Sequence, residues 1–334
     1  MRLRILAGIG TVVTVAIVAA CGGTSDGSGS GGEGSTNLTL AAYSTPREVY
    51  EELIPAFAET QNGKGVTIEQ SYGSSGEQSR AVEAGLPADV VAFSLEPDVT
   101  RLVEAGLVAD GWADDEHEGM VSRSVVVLAV RKGNPKNIRG WDDLVDDGVE
   151  VVTPNPFTSG GARWNVMAAY GAQLEQGKSK AEAIAYLRKL FHNVPVQDKS
   201  ARESLQTFAA GKGDVLIAYE NEAITAQQKG EELDYVIPDQ TILIENPVAV
   251  TKDAPDAARA FVDFLRTRES QEVFAEKGYR SIIDGLVDEQ RYPTPKVLFT
   301  IADLGGWAQV QEKFFDRDDG LMAGIERELG APLE

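Results

Sequence analysis

A loop rich in hydroxyl residues and glycine, Thr158-Ser159-Gly160-Gly161-Ala162-Arg163, carries the residue types with the clearest chemistry in this chain. It follows the apolar run 149–153 and precedes a helical pattern that extends to about Gln173. The first N–H groups of a helix have no internal partner, and the peptide dipoles add positive potential there. Because glycine has no Cβ, an anion can approach these N–H groups closely. The loop therefore predicts a seat for a small oxyanion.

Three further junctions between a predicted strand and a predicted helix have a similar composition. They are residues 43–48, 72–78 and 197–203. Thr45 with Glu48, and Ser200 with Glu203, have the spacing of capping boxes. Ligands of doubly wound α/β folds bind at the carboxyl ends of strands, so four facing junctions would line one cleft with backbone donors. The pattern alone leaves open that these are ordinary capped helices without a ligand.

Short β-rich runs alternate with helical patterns from Asn37 to Glu334, which predicts an α/β fold with parallel strands. This length favours two lobes over a single core. Two β-rich stretches, Ser124–Val130 and Asp234–Ile244, have no helix signal, and we predict that the chain crosses between the lobes there. Lobe 1 would then consist of residues 37–128 and 239–334, and lobe 2 of residues 129–238.

The remaining pattern predicts helices and short connections. Residues 194–196 are predicted to form a short strand. The apolar spacing in Pro255–Glu276 predicts one long helix, and residues 300–329 are predicted to be helical with a break at Gly305-Gly306.

The N-terminus has the features of a targeting segment. Residues 1–21 combine a basic start with an apolar run, and they end in Val18-Ala19-Ala20-Cys21, which resembles the lipobox of a bacterial lipoprotein signal. Residues 22–36 are almost all small or polar, which predicts a flexible tether. We therefore expect a lipid on Cys21 that anchors the protein at the extracytoplasmic face of the cell membrane. The alternative is an ordinary signal peptide with a cysteine at its end by chance.

The charge and the cysteine count exclude several functions. The formal net charge of −21 argues against binding of nucleic acid and against a basic membrane-binding patch. It also provides no long-range attraction for an anion, so an anion site must be built from local dipoles. With Cys21 as the single cysteine, no disulfide can form within the chain.

An enzyme remains an open alternative. The chain has two histidines, one in the acidic run Asp114–Glu118 and one, His192, at a predicted helix end. The acidic run is expected to be a solvated loop, with cation binding as the alternative. A lipid-anchored hydrolase would use Ser75 or Ser159 as its nucleophile, although residues 73–76 do not fit the strained G-x-S-x-G turn. The tryptophans are expected to be packing anchors, and Trp164, beside the glycine loop, is the one closest to the predicted site.

Several strings resemble the bacterial sulfate-binding proteins of ABC importers. They are Tyr72-Gly73-Ser74-Ser75-Gly76-Glu77-Gln78 and residues 130–136, 153–165, 213–223 and 298–301. The resemblance extends from about Leu38 to the C-terminal helix. It implies a two-lobed α/β fold of the type II periplasmic-binding-protein-like kind, in which the ligand is held between lobes that close about a hinge.

The resemblance also implies which residues bind the anion. Members of the family hold a dehydrated sulfate with backbone N–H groups, a serine hydroxyl and an indole N–H, and without a countercharge. At the matching positions, the backbone donors are Ser44, Ser75, Gly160, Gly161 and Ala201, and the hydroxyl donor is Ser159. Tyr219 replaces the indole, and Ser44 stands where the family often has an acidic residue. Arg163 and Arg202 would neutralise the site from behind it, or pair with surface carboxylates.

The implied function is capture of sulfate and its delivery to a membrane permease by a monomer that is not an enzyme and has no metal or cofactor. Thiosulfate, or less readily molybdate, remains open as the ligand. A site made only of donors favours sulfate over phosphate, because a bound phosphate near neutral pH would bury an unpaired O–H group. We therefore expect the nearby carboxylates of Glu77, Glu203 and Glu220 to turn away from the anion.

Overall fold

The computed structural model describes residues 35–287 and 290–333. The predicted signal segment, the lipobox with Cys21 and nearly all of the predicted tether lie outside these residues. Thr36, predicted as the end of the tether, is instead the first residue of a strand and is paired with Val66. No helix in the described part of the chain is long and apolar enough to cross a membrane.

The first part of the chain alternates strands and helices as predicted. Its elements are β1 (Thr36–Tyr43), α1 (Arg47–Ala58), β2 (Val66–Gly73), α2 (Ser75–Glu83), β3 (Val90–Ala92), α3 (Glu96–Glu104) and β4 (Met120–Arg131). The central elements are β5 (Val151–Val152), α4 (Gly160–Glu175), α5 (Lys180–His192), α6 (Ala201–Ala209), β6 (Val215–Tyr219), α7 (Glu220–Gln228) and β7 (Leu233–Val236). The last elements are β8 (Gln240–Val250), α8 (Asp256–Leu265), α9 (Arg268–Glu276), β9 (Val297–Phe299), α10 (Gly306–Phe315) and α11 (Leu321–Leu329).

The strands form a mixed sheet in the order β2-β1-β3-β8-β4-β6-β5, with β7 beside β4 and β9 beside β8. Pairing is parallel between β1 and its neighbours β2 and β3, and between β5 and β6. The two long strands β4 and β8 instead pair antiparallel to their neighbours β3, β6 and to each other. The parallel strands come from βα units, whose helices start at the same edge of the sheet.

Strands β4 and β8 connect the two halves of the sheet. The first part of β4 pairs with β8, and its residues from Val126 onward pair with β6. The last part of β8, from Val248, pairs with β3. The predicted stretch Ser124–Val130 lies within β4, whereas Asp234–Ile244 is divided between β7 and the first part of β8. That the chain crosses between two lobes at these stretches stays a prediction.

Two large apolar clusters fill the space on the two halves of the sheet. One packs α1, α8 and α9 against β1 and β3, and the other packs α4 and α5 against β4 and β6. Helices α10 and α11 contribute Trp307, Phe314 and Met322 to the second cluster. The lobe boundaries proposed from the sequence do not anticipate this return of the C-terminal helices to α4 and α5, and they stay a prediction.

Three local expectations are wrong. The predicted helix Pro255–Glu276 is divided into α8 and α9, because the Thr267 hydroxyl caps a new helix by accepting from the Ser270 N–H at 3.3 Å. Thr45 does not cap α1, because the helix begins at Arg47 and has Pro46 at its N-cap position without a side-chain cap. Residues 194–196 contribute only an isolated bridge, Val152 with Val196, rather than a strand.

Candidate functional site

A small cavity lies where the carboxyl ends of the strands meet the starts of the helices. It contains about 230 Å³ of empty space. Its lining residues are Tyr43, Ser44, Thr45, Gly73, Ser74, Ser75, Ser94, Ser159, Gly160, Gly161, Ser200, Ala201 and Tyr219. All seven residues predicted to contact the anion are among them, and no lining residue carries a charged side chain. Even with the space that is open to solvent included, this volume lies below the usual range for organic ligands, so the cavity suits a small inorganic ion.

Three helices begin at the wall of this cavity. Ser75, Gly160 and Ala201 are the first residues of α2, α4 and α6. The N–H group of a first helical residue has no acceptor inside its own helix, and the three helix dipoles add positive potential at the same place. The cavity therefore offers donors and positive potential without a cationic side chain.

The expected role of the Ser44 N–H group is wrong. This group donates to the carbonyl of Gly73, the last residue of β2, at 2.9 Å, because the hydrogen bonding between β1 and β2 continues one residue beyond the end of β1. Ser44 still lines the cavity, but its amide proton is engaged by the sheet. A donor from this wall must come from its hydroxyl group or from the neighbouring Thr45.

Ser159 and Gly161 have the geometry that the anion seat requires. The Ser159 hydroxyl oxygen accepts from the Ala162 N–H at 3.4 Å, which leaves its own proton free to donate. A Cβ added at Gly161 would lie 3.4 Å from the Cβ of Ala201 and 3.6 Å from the Tyr219 ring. Since both neighbours line the cavity, glycine at this position keeps the anion seat open.

Tyr219 reaches across the cavity to Ser94. Their hydroxyl oxygens lie 2.7 Å apart and share a hydrogen bond. Burial raises the pKa of Tyr219 well above its usual value, so the phenol keeps its proton. The Ser94 carbonyl also accepts from the indole N–H of Trp164 at 2.8 Å, and this indole packs edge-on against Trp307. Trp164 is thus both a packing anchor and a support for the cavity wall.

Ser94 connects several parts of the site and was missed from the sequence. Besides its bonds to Tyr219 and Trp164, its N–H group donates to the Ser75 hydroxyl at 3.0 Å. That hydroxyl in turn donates to the carboxylate of Asp98 at 2.6 Å. A hydroxyl residue directly after the apolar run 90–93 was the available signal, but no run of glycine and hydroxyl residues like that at 158–161 followed it.

Arg163 and Arg202, which were predicted to lie behind the site, contact different parts of the chain. Arg163 is buried, and it donates to the Pro156 carbonyl and the Gln311 side chain, each at 2.8 Å. Arg202 donates to the Ser44 carbonyl at 2.9 and 3.1 Å and forms a double hydrogen bond with Glu48 at 2.6 and 2.9 Å. Neither side chain lines the cavity.

Glu48 is the centre of a contact between distant helices. Besides Arg202 of α6, it pairs with Lys229, which directly follows α7. Burial alone would raise the pKa of Glu48, but the hydrogen bonds from Arg202 and Lys229 lower it to about 2. The Glu48 carboxylate is therefore ionised at neutral pH and holds α1 against α6 and α7.

The three carboxylates that were expected to turn away from the anion are bound elsewhere. Glu77 accepts from the Ser74 hydroxyl at 2.7 Å, and Glu203 accepts from the Lys199 N–H at 3.1 Å. Glu220 is paired with Arg280 at 2.7 and 3.0 Å. None of the three lines the cavity, which agrees with the prediction.

A fourth carboxylate, Glu222, lies behind the cavity wall. It is buried and accepts from the Tyr219 N–H at 3.2 Å. Burial raises its pKa to about 7, although the Tyr219 N–H and the Arg202 guanidinium oppose this shift. Glu222 is the third residue of α7, where an acidic residue is typical of a helix cap. The sequence therefore did not indicate that it lies beside the site.

This raised pKa predicts how stability depends on pH. A carboxyl group with a raised pKa in the folded state stabilises the fold fully below its unfolded value of about 4.5, and this contribution is lost as the pH rises through about 7. We expect Glu222→Gln to stabilise the protein by about 2 kcal/mol more at pH 8 than at pH 5. Urea unfolding at both pH values measures this, and an equal effect at both would contradict the assignment.

Catalytic and metal-binding groups do not gather at the cavity. His117 and His192 are both outside its lining. The acidic run is organised by Asp115, which accepts from two backbone N–H groups and pairs with Arg266. Within residues 35–287 and 290–333, no group of three or more His, Cys, Asp or Glu side chains is placed to hold a metal ion.

Comparisons with known proteins show the family of this chain. The family model described as bacterial extracellular solute-binding protein matches residues 38–280. The sulfate-binding protein of Synechococcus elongatus is 45% identical over 315 residues, which covers 90% of each chain. The thiosulfate-binding protein of Pseudomonas aeruginosa is 35% identical, over 83% of this chain and 89% of that protein.

A solved structure extends the similarity to three dimensions. The sulfate-binding protein SubI from Mycobacterium tuberculosis has a TM-score of 0.82 and 44% sequence identity, over 84% of this chain and all of that chain. The α/β fold is therefore that of the periplasmic binding proteins, as the sequence resemblance implied. This chain belongs to the bacterial extracellular solute-binding proteins, in the family of the sulfate-binding proteins.

Proposed function

We propose that this protein captures sulfate in the small cavity and delivers it to the permease of an ABC importer. The observation that carries the proposal is the composition of the cavity wall. Three helix starts and a set of hydroxyl groups converge there, and no charged side chain lines it. A fully ionised dianion can be satisfied by donors alone, and charge-assisted hydrogen bonds to it are stronger than neutral ones.

In this proposal the donors are the N–H groups of Ser75, Gly160, Gly161 and Ala201 and the hydroxyl groups of Ser159 and Tyr219. Ser44 would donate through its hydroxyl group rather than through its N–H group. The walls come from distant parts of the chain, so a bound anion would connect them and favour a closed cleft. Arg202 and Glu48 would support that closed arrangement from outside the cavity.

The lipid anchor at Cys21 and the tether of residues 22–36 belong to the same proposal. They would hold a monomeric binding protein at the extracytoplasmic face of the cell membrane, close to the permease. We also propose that the protein is not an enzyme. This proposal is supported by the partners of Ser75 and Ser159, because neither hydroxyl is hydrogen-bonded to a histidine.

Calorimetric titration of the purified domain with sulfate, thiosulfate and phosphate at pH 7.5 tests the ligand. We expect sulfate to bind about 10- to 100-fold more tightly than phosphate, because the phosphate O–H group would be buried without an acceptor. Tighter binding of thiosulfate than of sulfate would show that thiosulfate is the preferred ligand. Phosphate that binds as tightly as sulfate would contradict the donors-only cavity.

A further inference from the structure

A second, larger pocket lies beside the anion cavity and carries an unusual concentration of arginine. It contains about 1360 Å³ of space, part of it open to solvent. Arg80 and Arg163 reach it from α2 and α4, the helices that start at the cavity wall, and Arg101 reaches it from α3. Arg317 reaches it from the turn between α10 and α11.

The pocket lining carries four arginines and three carboxylates, Glu77, Asp316 and Asp318, so its formal charge is one unit positive. Among the described residues, Arg80, Arg163 and Arg317 form no ion pair within 4 Å, and Arg101 pairs with Glu83 at 3.6 Å. Burial lowers the pKa of Arg163 to about 10, with Arg101, Arg80 and Arg317 adding to the effect and Asp98 opposing it. Like charges thus lie near one another in a chain whose net charge is −21.

Most of the carboxylates around the pocket are hydrogen-bonded to neutral groups, which orients these carboxylates but leaves their negative charge in place. Glu77 accepts from the Ser74 hydroxyl, and Asp316 accepts from the N–H groups of Asp318 and Asp319 at 2.9 Å. Asp98, buried behind the pocket, accepts from the Ser75 hydroxyl at 2.6 Å. Asp318 is the remaining carboxylate in the lining, and it lies on an exposed turn.

The pocket is directly connected to the framework of the anion cavity. A Cβ added at Gly76 would lie 3.2 Å from a terminal nitrogen of Arg80 and 3.0 Å from the Thr158 carbonyl oxygen. Arg80 therefore lies beside the first turn of α2, whose Ser75 lines the cavity, and beside the loop that leads into α4. The two pockets share these helix starts as a common wall.

We propose that these four arginines form a receiving site for oxyanions, in which a multiply charged anion is attracted and loosely held before it passes into the neighbouring cavity. This inference rests on the proposed function. The overall charge of the chain repels a dianion, and a local positive pocket offsets that repulsion over about one Debye length. The cavity then provides the specific hydrogen bonds, and the receiving site provides the rate of association.

The test compares association rates for sulfate. Wild-type protein and the double variant Arg80→Gln/Arg317→Gln are mixed with sodium sulfate in a stopped-flow instrument, with tryptophan fluorescence as the signal. At about 0.01 M NaCl we expect the variant to associate about three- to tenfold more slowly, and at about 0.5 M NaCl we expect the difference to disappear. The dissociation rate should change by less than about twofold. The variant leaves Arg163 and its hydrogen bonds intact, and circular dichroism checks its folding.

The matched control is Arg139→Gln/Arg268→Gln, which removes the same charge at exposed positions outside the pocket. An equal loss of rate in the control would overturn the proposal, because net charge alone would then explain the effect. Unchanged rates in the Arg80 and Arg317 variant, with normal equilibrium binding of sulfate, would also overturn it but would leave the proposed function intact. Failure of wild-type protein to bind sulfate at equilibrium would contradict the proposed function itself.

Discussion

Replacing Gly161 with alanine is expected to weaken sulfate binding by about 100-fold, which corresponds to about 2.7 kcal/mol. The added methyl group would make ordinary contacts with Ala201, Ser159 and Tyr219 at 3.4 to 3.6 Å. It therefore fits the folded protein without a clash. Because all three neighbours line the cavity, the methyl group occupies space that the anion needs and separates it from the N–H groups of α4.

The same substitution should leave the fold intact. Gly161 does not have a positive φ, so alanine fits its backbone and should stabilise the protein by up to about 1 kcal/mol. Gly324→Ala is the matched control, since a Cβ there has no atom within 4 Å in the structure. Calorimetry and thermal unfolding of both variants measure the two effects. Wild-type affinity in Gly161→Ala would show that the cavity is not the sulfate site.

Replacing Arg280 with alanine is expected to lower the free energy of unfolding by about 3–5 kcal/mol. Its guanidinium binds both carboxylate oxygens of Glu220, whose side chain is 0% exposed. Burial raises the pKa of Glu220, and the hydrogen bonds from Arg280 oppose this shift. Without Arg280, a buried carboxylate has to be protonated or hydrated, and either process costs stability.

Urea unfolding at pH 7 measures this loss. Two further variants serve as a test of the buried charge and as an exposed control. Glu220→Gln/Arg280→Met should recover part of the stability, because no unpaired charge remains. Arg268→Ala removes an exposed partner of Glu272 and should change the stability by less than about 0.5 kcal/mol. A loss at Arg280 as small as the one at Arg268 would contradict the assigned role.

The parts of the site that depend on one local segment were predictable from the sequence. The starts of α2, α4 and α6 follow from hydroxyl residues, joined by glycine at α2 and α4, that directly precede a helical pattern, since capping and glycine preferences act within a few residues. The Ser159 cap and the break at Gly305-Gly306, where both glycines have positive φ, follow from the same rules.

The parts that depend on contacts between distant segments were not predictable in this way. Ser94 supports the cavity through residues 75, 164 and 219, and nothing in its own neighbourhood indicates these partners. The N–H group of Ser44 is used by the sheet because the hydrogen bonding between β1 and β2 continues past the end of β1. Glu48 matched a local capping pattern, but Arg202 and Lys229 gave it stronger partners.

The four arginines of the receiving pocket show the same limit. In the sequence they are separated residues of an acidic chain, and the composition indicated no attraction for anions. Only the packing of α2, α3 and α4 with the turn after α10 brings them together. The net charge therefore describes the average surface of the protein, but it does not predict the local electrostatic potential beside the site.

Under the proposed function, we expect the contact of Glu48 with Arg202 and Lys229 to affect the apparent affinity of the protein. When only a fraction of molecules has the binding-competent arrangement, the observed dissociation constant equals the intrinsic one divided by that fraction. The contact joins α1 to α6 and α7 without using any donor of the cavity. Under the proposed function, we therefore expect it to raise the competent fraction before a ligand arrives. Selection could therefore adjust how tightly this protein holds its ligand through a helix contact that never touches the ligand.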